Sequence, residues 1–368
     1  ALLFWQWLAA RKFPLHRRIT HRDIAPPVTI LKPLKGCDAT TADSLRSWLQ
    51  QNYPAPIQIL FAVDEPGDPV CETVRRLIAE NPHRDAQLIV CENLRGANAK
   101  VAKLAQLEPL AKHDLILVSD ADVRVPADFL ANVVAPLREE QVGLVTGFYR
   151  LANPTTPAMQ WEAVAINADF WSQVLQAQTL RPLDFALGAV MLVRRKALLA
   201  IGGFQSLANC LADDYQLGHR IANKNYRIAL CPVVVDCWHA PAGWGEIWRH
   251  QLRWARTIRV CRPLPFFFSL LSNATLWPLL WFAVSLTVGK SFCAPLTAAF
   301  ILLARIGLAQ NLQRRLTPEG KLVSPFWLVP VKDLLQTVLW LGAFLGNTVE
   351  WRGRRMRLNR DGTLAEVN

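Results

Sequence analysis

The stretch Leu115-Ile-Leu-Val-Ser-Asp-Ala-Asp122 limits what this chain can fold into more than any other. Its apolar start, Leu115 to Val118, reads as a strand buried on both faces, as in a parallel sheet covered by helices. The strand runs out into Ser119, Asp120, Ala121 and Asp122. Its two carboxylates therefore stand at the carboxyl end, where open α/β sheets place their ligands. Such a pair can hold a hard divalent cation, which in turn can neutralise a diphosphate. Two solvated acids at a strand end have the same sequence, so the neighbouring segments must decide.

Those segments alternate between strands and helices. After Pro26-Pro27 the sequence predicts strands at Val28–Leu31, Ile57–Val63 and Ala86–Val90, with helices at Thr41–Gln50 and Val70–Glu80 between them. The polar stretch Asn93–Lys103, with Asn98, Lys100 and Lys103, runs into a helix ending near Pro109. This order predicts a mostly parallel α/β sheet flanked by helices. The strand ending at Val63 is also tipped by acids, Asp64 and Glu65; if it neighbours the first, Asp64, Asp120 and Asp122 share one rim. Further strands are expected at Gly143–Tyr149, Ala186–Val193 and Arg227–Val235, and a helix at Ala158–Leu180. In Leu211-Ala-Asp-Asp-Tyr215 either Asp213 or Asp214 can cap the helix that follows, which explains an acid there without chemistry. Trp244–Arg259 is an amphipathic helix carrying His250, Gln251, Arg253, Trp254 and Arg256.

Pro263 marks a change of regime. Hydrophobic residues make up 52% of the chain, and the long uncharged runs lie after this point. Phe266–Gly289 carries no charge and exceeds the ~20 residues a membrane span needs. Ser291–Leu308 reads as a second span with Arg305 snorkelling at its end. Val323–Val349 carries Lys332 and Asp333, an expensive pair at bilayer depth, and reads as interfacial or re-entrant. The opening residues 1–13 read as the remnant of an apolar anchor helix. The net charge is +12, with basic clusters at His16–Arg22, Arg249–Arg262, Arg305–Lys321 and Arg352–Arg360 bordering the apolar runs, as cytoplasmic juxtamembrane segments do. No zinc-finger or RNP pattern occurs, so nucleic acid is not an expected partner. The eight cysteines form no C-x-x-C pair and read as free thiols of a reducing compartment. The expected organisation is a catalytic unit over residues 26–243, an interfacial helix over 244–262, membrane segments over 264–350 and a basic cytoplasmic tail over 351–368.

Four motifs stand in order: Val63-Asp64-Glu65, Ser119-Asp120-Ala121-Asp122, Leu211-Ala212-Asp213-Asp214-Tyr215 and His250-Gln251-Leu252-Arg253-Trp254. Together they resemble the family 2-like inverting glycosyltransferases of GT-A fold, above all the ceramide glucosyltransferase branch (family 21). Bacterial hopanoid-type lipid glycosyltransferases are similar too. The resemblance runs from about Val28 to the C-terminus and takes in Gly188 and the tail Trp351–Leu358. It implies that Asp64 sits by the uracil or ribose of a nucleotide, and that Asp120, completed by Asp122, holds Mg²⁺ or Mn²⁺. It makes Asp214 the general base, with Asp213 where relatives often carry Glu. Arg253 and Trp254 match the Arg-Trp of a (Gln/Arg)-x-x-Arg-Trp motif. His250 departs from its leading position, beside Gln251, and both are placed among the substrate-binding residues. Lys100 and Arg253 are candidates to support the leaving diphosphate.

The implied reaction moves a hexosyl group from a UDP-sugar to a membrane lipid hydroxyl with inversion, UDP-glucose to ceramide being the nearest match. The enzyme would be a multi-pass membrane protein with its catalytic unit in the cytoplasm, and the bilayer itself would be a partner. A hopanoid N-acetylglucosaminyltransferase using UDP-GlcNAc is the alternative. A processive polysaccharide synthase would need more spans, and a non-catalytic membrane scaffold would not need all these acids.

Overall fold

The computed structural model describes residues 1–19, 25–288, 293–317, 324–351 and 354–366. The strands are β1 (Val28–Pro33), β2 (Ile57–Val63), β3 (Asp85–Val90), β4 (Leu115–Ser119), β5 (Val123–Arg124), β6 (Val142–Leu151), β7 (Val190–Arg194), β8 (Arg227–Cys237), β9 (Thr348–Trp351), β10 (Arg354–Leu358) and β11 (Leu364–Glu366). The helices used below are α1 (Leu2–Lys12), α2 (Ala99–Leu107), α3 (Pro157–Val164), α4 (Trp171–Gln178), α5 (Asp213–Ala222), α6 (Trp244–Cys261), α7 (Pro263–Phe268), α8 (Leu276–Val288), α9 (Cys293–Leu316) and α10 (Leu328–Phe344). Among the described residues, eight strands form one sheet in the order β3-β2-β1-β4-β7-β6-β8-β5. It is mixed: β3, β2, β1 and β4 are mutually parallel, as are β6 and β8, while β7 and β5 run antiparallel to their neighbours.

The apolar runs are continuous because both faces of the sheet are covered. Along β2, Ile57, Ile59, Phe61 and Val63 enter one core cluster, and Leu60 and Ala62 the opposite one. This is the period of two expected for a strand packed on both sides. The acid-tipped strands β2 and β4 are not neighbours, because β1 lies between them and pairs in parallel with each. Their carboxyl ends still open on the same edge, with the end of β1 between them. The expected strand Ala186–Val193 begins only at Val190. Before it, the Leu187 N–H is satisfied by Thr146 Oγ1 at 2.9 Å instead of a ladder partner, and Gly188 is left outside the strand. The expected helix Ala158–Leu180 is α3 and α4 joined by a π-helical segment, Ala165–Phe170.

The C-terminal part departs from the expected layout. The uncharged run from Phe266 is no straight span. It is split into α7, a 3₁₀ turn at Ser269–Ser272 and α8, with a 54° bend. Asn273 causes the break: its Oδ1 accepts the Thr275 and Leu276 N–H groups at 3.1 and 2.8 Å, starting a new helix. Among the described residues, α9 is the one unbroken helix long and apolar enough to cross a membrane. Arg305 does not snorkel at its end. It lies within the helix, buried, and pairs with Asp169 and Asp333 because these carboxylates face it from the π-helical segment and from α10. Lys332 is buried there too, 2.6 Å from Asp169.

Leu264, Phe268, Trp281, Leu286, Phe300 and Leu303 are exposed on the outer surface of α7, α8 and α9. The helix α1 lays its polar Gln6 against Ser172 of α4 at 2.7 Å. The tail is not a loose basic extension: within the described residues β9, β10 and β11 form an antiparallel sheet. Arg22, Lys290, residues 318–321 of the basic cluster Arg305–Lys321 and Arg352 lie outside the described residues.

Candidate active site

At the carboxyl edge of β1, β2 and β4, acids and nearly buried lysines interleave. Asn98 caps α2 by accepting the Val101 N–H, so the helix starts at a fixed place. Lys100 and Lys103, three residues apart, lie on the same face of α2. Lys103, fully buried, donates to Asp64 Oδ1 at 2.9 Å and to the Leu34 carbonyl at 2.7 Å. Burial pushes the Asp64 carboxyl up, but Lys103, with Lys35 behind it, holds it below the usual range. Lys100 Nζ stands 2.7 Å from Asp120 Oδ1 and 3.2 Å from Asp213 Oδ2, so it bridges the ends of β4 and α5.

Lys32, at the end of β1, donates to Ser119 Oγ at 3.3 Å and to the Asp120 carbonyl, and its ammonium lies 4.9 Å from the Trp48 ring centroid. Burial pushes this lysine down to about 7 against the pull of Asp122 and Asp120. Asp122 meets His239 Nε2 at 3.2 Å; burial raises its carboxyl while His239 opposes the rise.

Asp213 and Asp214 are not caps. They are the first two residues of α5, whose N-cap position is Ala212 with no side-chain cap bond. The positive end of the helix favours a carboxylate there. Asp214 Oδ1 accepts the Tyr215 N–H at 2.7 Å. A Cβ at Gly188 would stand 2.9 Å from Asp214 Oδ2, so the glycine makes room for this carboxylate. Gly218, one turn on, lies against the Phe185–Ala186 backbone, where a Cβ would come within 2.3 Å of the Ala186 nitrogen. That close approach brings the start of α5 to the sheet edge. Burial, then the charge of Asp213, pushes Asp214 up to about 6, the range of a working general base.

On α6 the expected substrate residues divide. His250 Nδ1 and Gln251 Nε2 each lie 2.8 Å from Oε1 of Glu162 on α3. Burial raises Glu162, yet the His250 and Gln251 bonds hold it below the usual range, so it is an acceptor and both α6 groups donate. Trp254 packs against His250 at 4.6 Å and Phe170 at 6.3 Å between ring centroids. Arg253 is half-buried on the same helix. The structure thus gathers Asp120, Asp122, Asp213, Asp214 and Lys100, ties Asp64 to the same edge through Lys103, and engages His250 and Gln251 with Glu162. Sequence reasoning missed Lys32, Lys103 and Glu162 as parts of this arrangement. The one signal for Lys32 was a lysine closing an apolar strand; Glu162, inside a Trp- and Gln-rich helix, gave none.

With this geometry in view, the comparison with known families is decisive: the model for glycosyl transferase family 21 matches residues 2–364. The chain belongs to glycosyltransferase family 21. It is similar to a ceramide glucosyltransferase of Candida albicans, 37% identical over 31% of this chain and 23% of that protein. It is also similar to ceramide glucosyltransferase 3 of Caenorhabditis elegans, 24% identical over 61% of this chain and 48% of that protein. The match thus spans less than half the length of these two relatives. A beta-monoglucosyldiacylglycerol synthase of Trichormus variabilis is 23% identical over 94% of this chain and 78% of its own length. Among solved structures, a mannosyltransferase from Pyrobaculum calidifontis in complex with GDP-mannose and Mn²⁺ superposes with a TM-score of 0.57. It shares 21% identity and covers 91% of this chain and 95% of its own, which shows a common GT-A-type fold.

For a family 21 enzyme, the acid edge also bears on a cation. Among the described residues no group of three His, Cys, Asp or Glu side chains is arranged to hold a metal ion. One or two carboxylates completed by substrate phosphates and water is, however, the usual way Mg²⁺ is bound at phosphoryl sites. Asp120 and Asp122 fit that donor set. The Lys100 ammonium, drawn in between Asp120 and Asp213, shows that this place attracts positive charge.

Proposed function

We propose that this chain transfers a hexosyl group from a UDP-sugar to the hydroxyl of a membrane lipid, with inversion at the anomeric carbon. The observation that carries the reading is the place of Asp214, half-buried at the start of α5 against Gly188 and next to Asp213, which Lys100 ties to Asp120; burial and Asp213 push its carboxyl up to about 6. The lipid hydroxyl oxygen attacks C1 while Asp214 takes its proton. The bond from C1 to the diphosphate oxygen breaks, and UDP leaves with the electron pair. A divalent cation, Mg²⁺ or Mn²⁺, held by Asp120 and Asp122 would neutralise the leaving diphosphate. Lys100 and Arg253 add positive charge where the negative charge develops. Asp64, fixed by Lys103, meets the nucleoside in this reading. Attack from the face opposite the leaving group turns a UDP-α-sugar into a β-glycoside.

The relatives named for ceramide and for glucosyldiacylglycerol support a lipid acceptor, with UDP-glucose to ceramide as the specific reaction we favour. The exposed apolar residues of α7, α8 and α9 beside the arginines of α6 support a seat in the bilayer with the acid edge towards lipid headgroups. The test is to incubate membranes containing the full chain with several UDP-sugars and a lipid extract and to identify products by mass spectrometry. A β-hexosyl lipid is expected. Turnover of no UDP-sugar in the presence of Mg²⁺ or Mn²⁺ overturns the reading.

A pH dependence follows. The base must be ionised to work, so kcat falls as pH drops through about 6, by about tenfold for each further unit. An unshifted aspartate would hold the rate level there. A kcat–pH profile that stays flat down to pH ~4, where a free aspartate titrates, removes Asp214 from the role of base.

A further inference from the structure

The tail Trp351–Leu358, part of the family resemblance, has no role in the chemistry above, yet the structure seats its sheet beside the catalytic residues. Met356, Leu358, Leu364 and Val349 pack on Leu211, two residues before Asp213. The contact includes main-chain pairing. The Leu211 N–H donates to the Gly362 carbonyl at 3.2 Å, the Leu364 N–H donates to the Asn209 carbonyl at 2.8 Å, and Cys210 and Thr363 form an antiparallel bridge. Through this pairing β11 extends onto the loop 208–212.

The other side of that loop holds α2. Asn98 donates its N–H to the Ala208 carbonyl and its Nδ2 to the Cys210 carbonyl, each at 2.8 Å, and the Ala97 N–H donates to Asn209 Oδ1 at 3.0 Å. Gly96, at φ 114°, comes so close that a Cβ would stand 2.6 Å from Ala208 Cβ. The loop is clamped between the tail sheet and the start of α2. From its own end springs Asp213-Asp214, and from the start of α2 springs Lys100. The sheet is held from behind by α6, where Arg256 donates to the Thr348 carbonyl and Arg259 to Asn347 Oδ1.

We propose that the C-terminal sheet is a positioning element of the catalytic centre, fixing through the 208–212 loop both the Asp214 base and the Lys100 cation. Its catalytic consequence rests on the transferase reading above; its mechanical coupling does not. The sheet meets the loop through Val349, Met356, Leu358 and Leu364, and its effect runs through that loop. Shifts of about 1 Å at a reacting group can cost on the order of 100-fold in rate.

The test uses the full chain with Leu364→Asp, which places a charge in the apolar seat, and Leu364→Met, which keeps it filled. Hydrogen–deuterium exchange and steady-state kinetics are read on both. In Leu364→Asp, amides of 96–104 and 207–216 are expected to exchange faster while β1, β2 and β4 stay protected. There kcat is expected to fall about 10-fold or more with the donor KM moving less than about threefold, and Leu364→Met to restore it. If Leu364→Asp exposes the whole sheet, Leu364→Ala replaces it under the same readouts. Loosening of β11 that leaves 96–104 and 207–216 unchanged overturns the proposal, as does loosening of both segments with kcat intact. If the wild-type chain moves no sugar, the functional reading fails, and the exchange measurement still decides the coupling.

Discussion

Asp214→Asn is expected to cut transfer by about 100- to 10,000-fold while the UDP-sugar still binds, the range that loss of a general base produces. The substitution is nearly isosteric. An Asn at this site keeps an oxygen for the Tyr215 N–H, now at 2.7 Å, and fits the space that Gly188 leaves. What it loses is the ability to accept the acceptor's proton. Donor affinity is expected to hold because the groups proposed to hold the diphosphate and nucleoside, Lys100, Asp120, Asp122 and Asp64, remain. The split is read by following product formation and, in parallel, binding of UDP with Mn²⁺ by calorimetry. An Asn variant that retains more than about a tenth of the wild-type kcat would mean that another group takes the proton. Loss of UDP binding along with activity would instead place Asp214 among the donor-holding residues.

Much of this site was legible because it falls where sequence periodicity changes. A β-branched apolar run that stops at an acid marks a strand end, and Asp64, Asp120 and Asp122 all lie at such ends. The lysines that pair with them were not legible. Amphipathic spacing puts Lys100 and Lys103 on one face of α2 without saying which face meets the acids. The partner relation needs β1 between β2 and β4, a fact of sheet order that local sequence does not carry. The bend between α7 and α8 was legible in part: Asn273 before a helical run is an N-cap signal, but an uncharged stretch of that length reads first as a span.

The alternation Arg355-Met356-Arg357-Leu358 has the period of a half-buried strand, and the structure buries Met356 and Leu358 and exposes both arginines. Basic composition had masked it as a tail. Glu162 was beyond reach, since a carboxylate among tryptophans becomes meaningful only when α6 brings His250 and Gln251 onto it.

The largest effect on stability is expected at Asp169. Arg305, Lys332, Asp169 and Asp333 are each at most 6% exposed, and their formal charges cancel. Arg305 binds Asp169 through two bonds of 3.0 and 2.8 Å and Asp333 through two of 2.9 and 2.8 Å. Lys332 adds 2.6 Å to Asp169, and the Thr275 hydroxyl adds 2.7 Å to Asp333. Asp169 lies in the π-helical segment, and such bulges often mark sites where a helix departs from its regular face. The cluster joins α9 and α10 to the helix that carries Glu162.

Asp169→Ala strands two cations with one carboxylate, and breaking a buried pair from one side costs about 3–5 kcal/mol. Melting of the full chain in detergent should therefore drop by several degrees, roughly 2–4 °C for each kcal/mol in a chain somewhat smaller than this. A second change that removes the stranded charge, Lys332→Met, should recover part of the loss, because the cost lies in the uncompensated cation and not in the missing contact alone. If Asp169→Ala melts within about a degree of wild type, water or lipid headgroups reach the cluster. The C-terminal helices would then be held to the catalytic unit chiefly by apolar packing and by bonds outside the cluster, such as that of Ser324 to the Gln160 carbonyl.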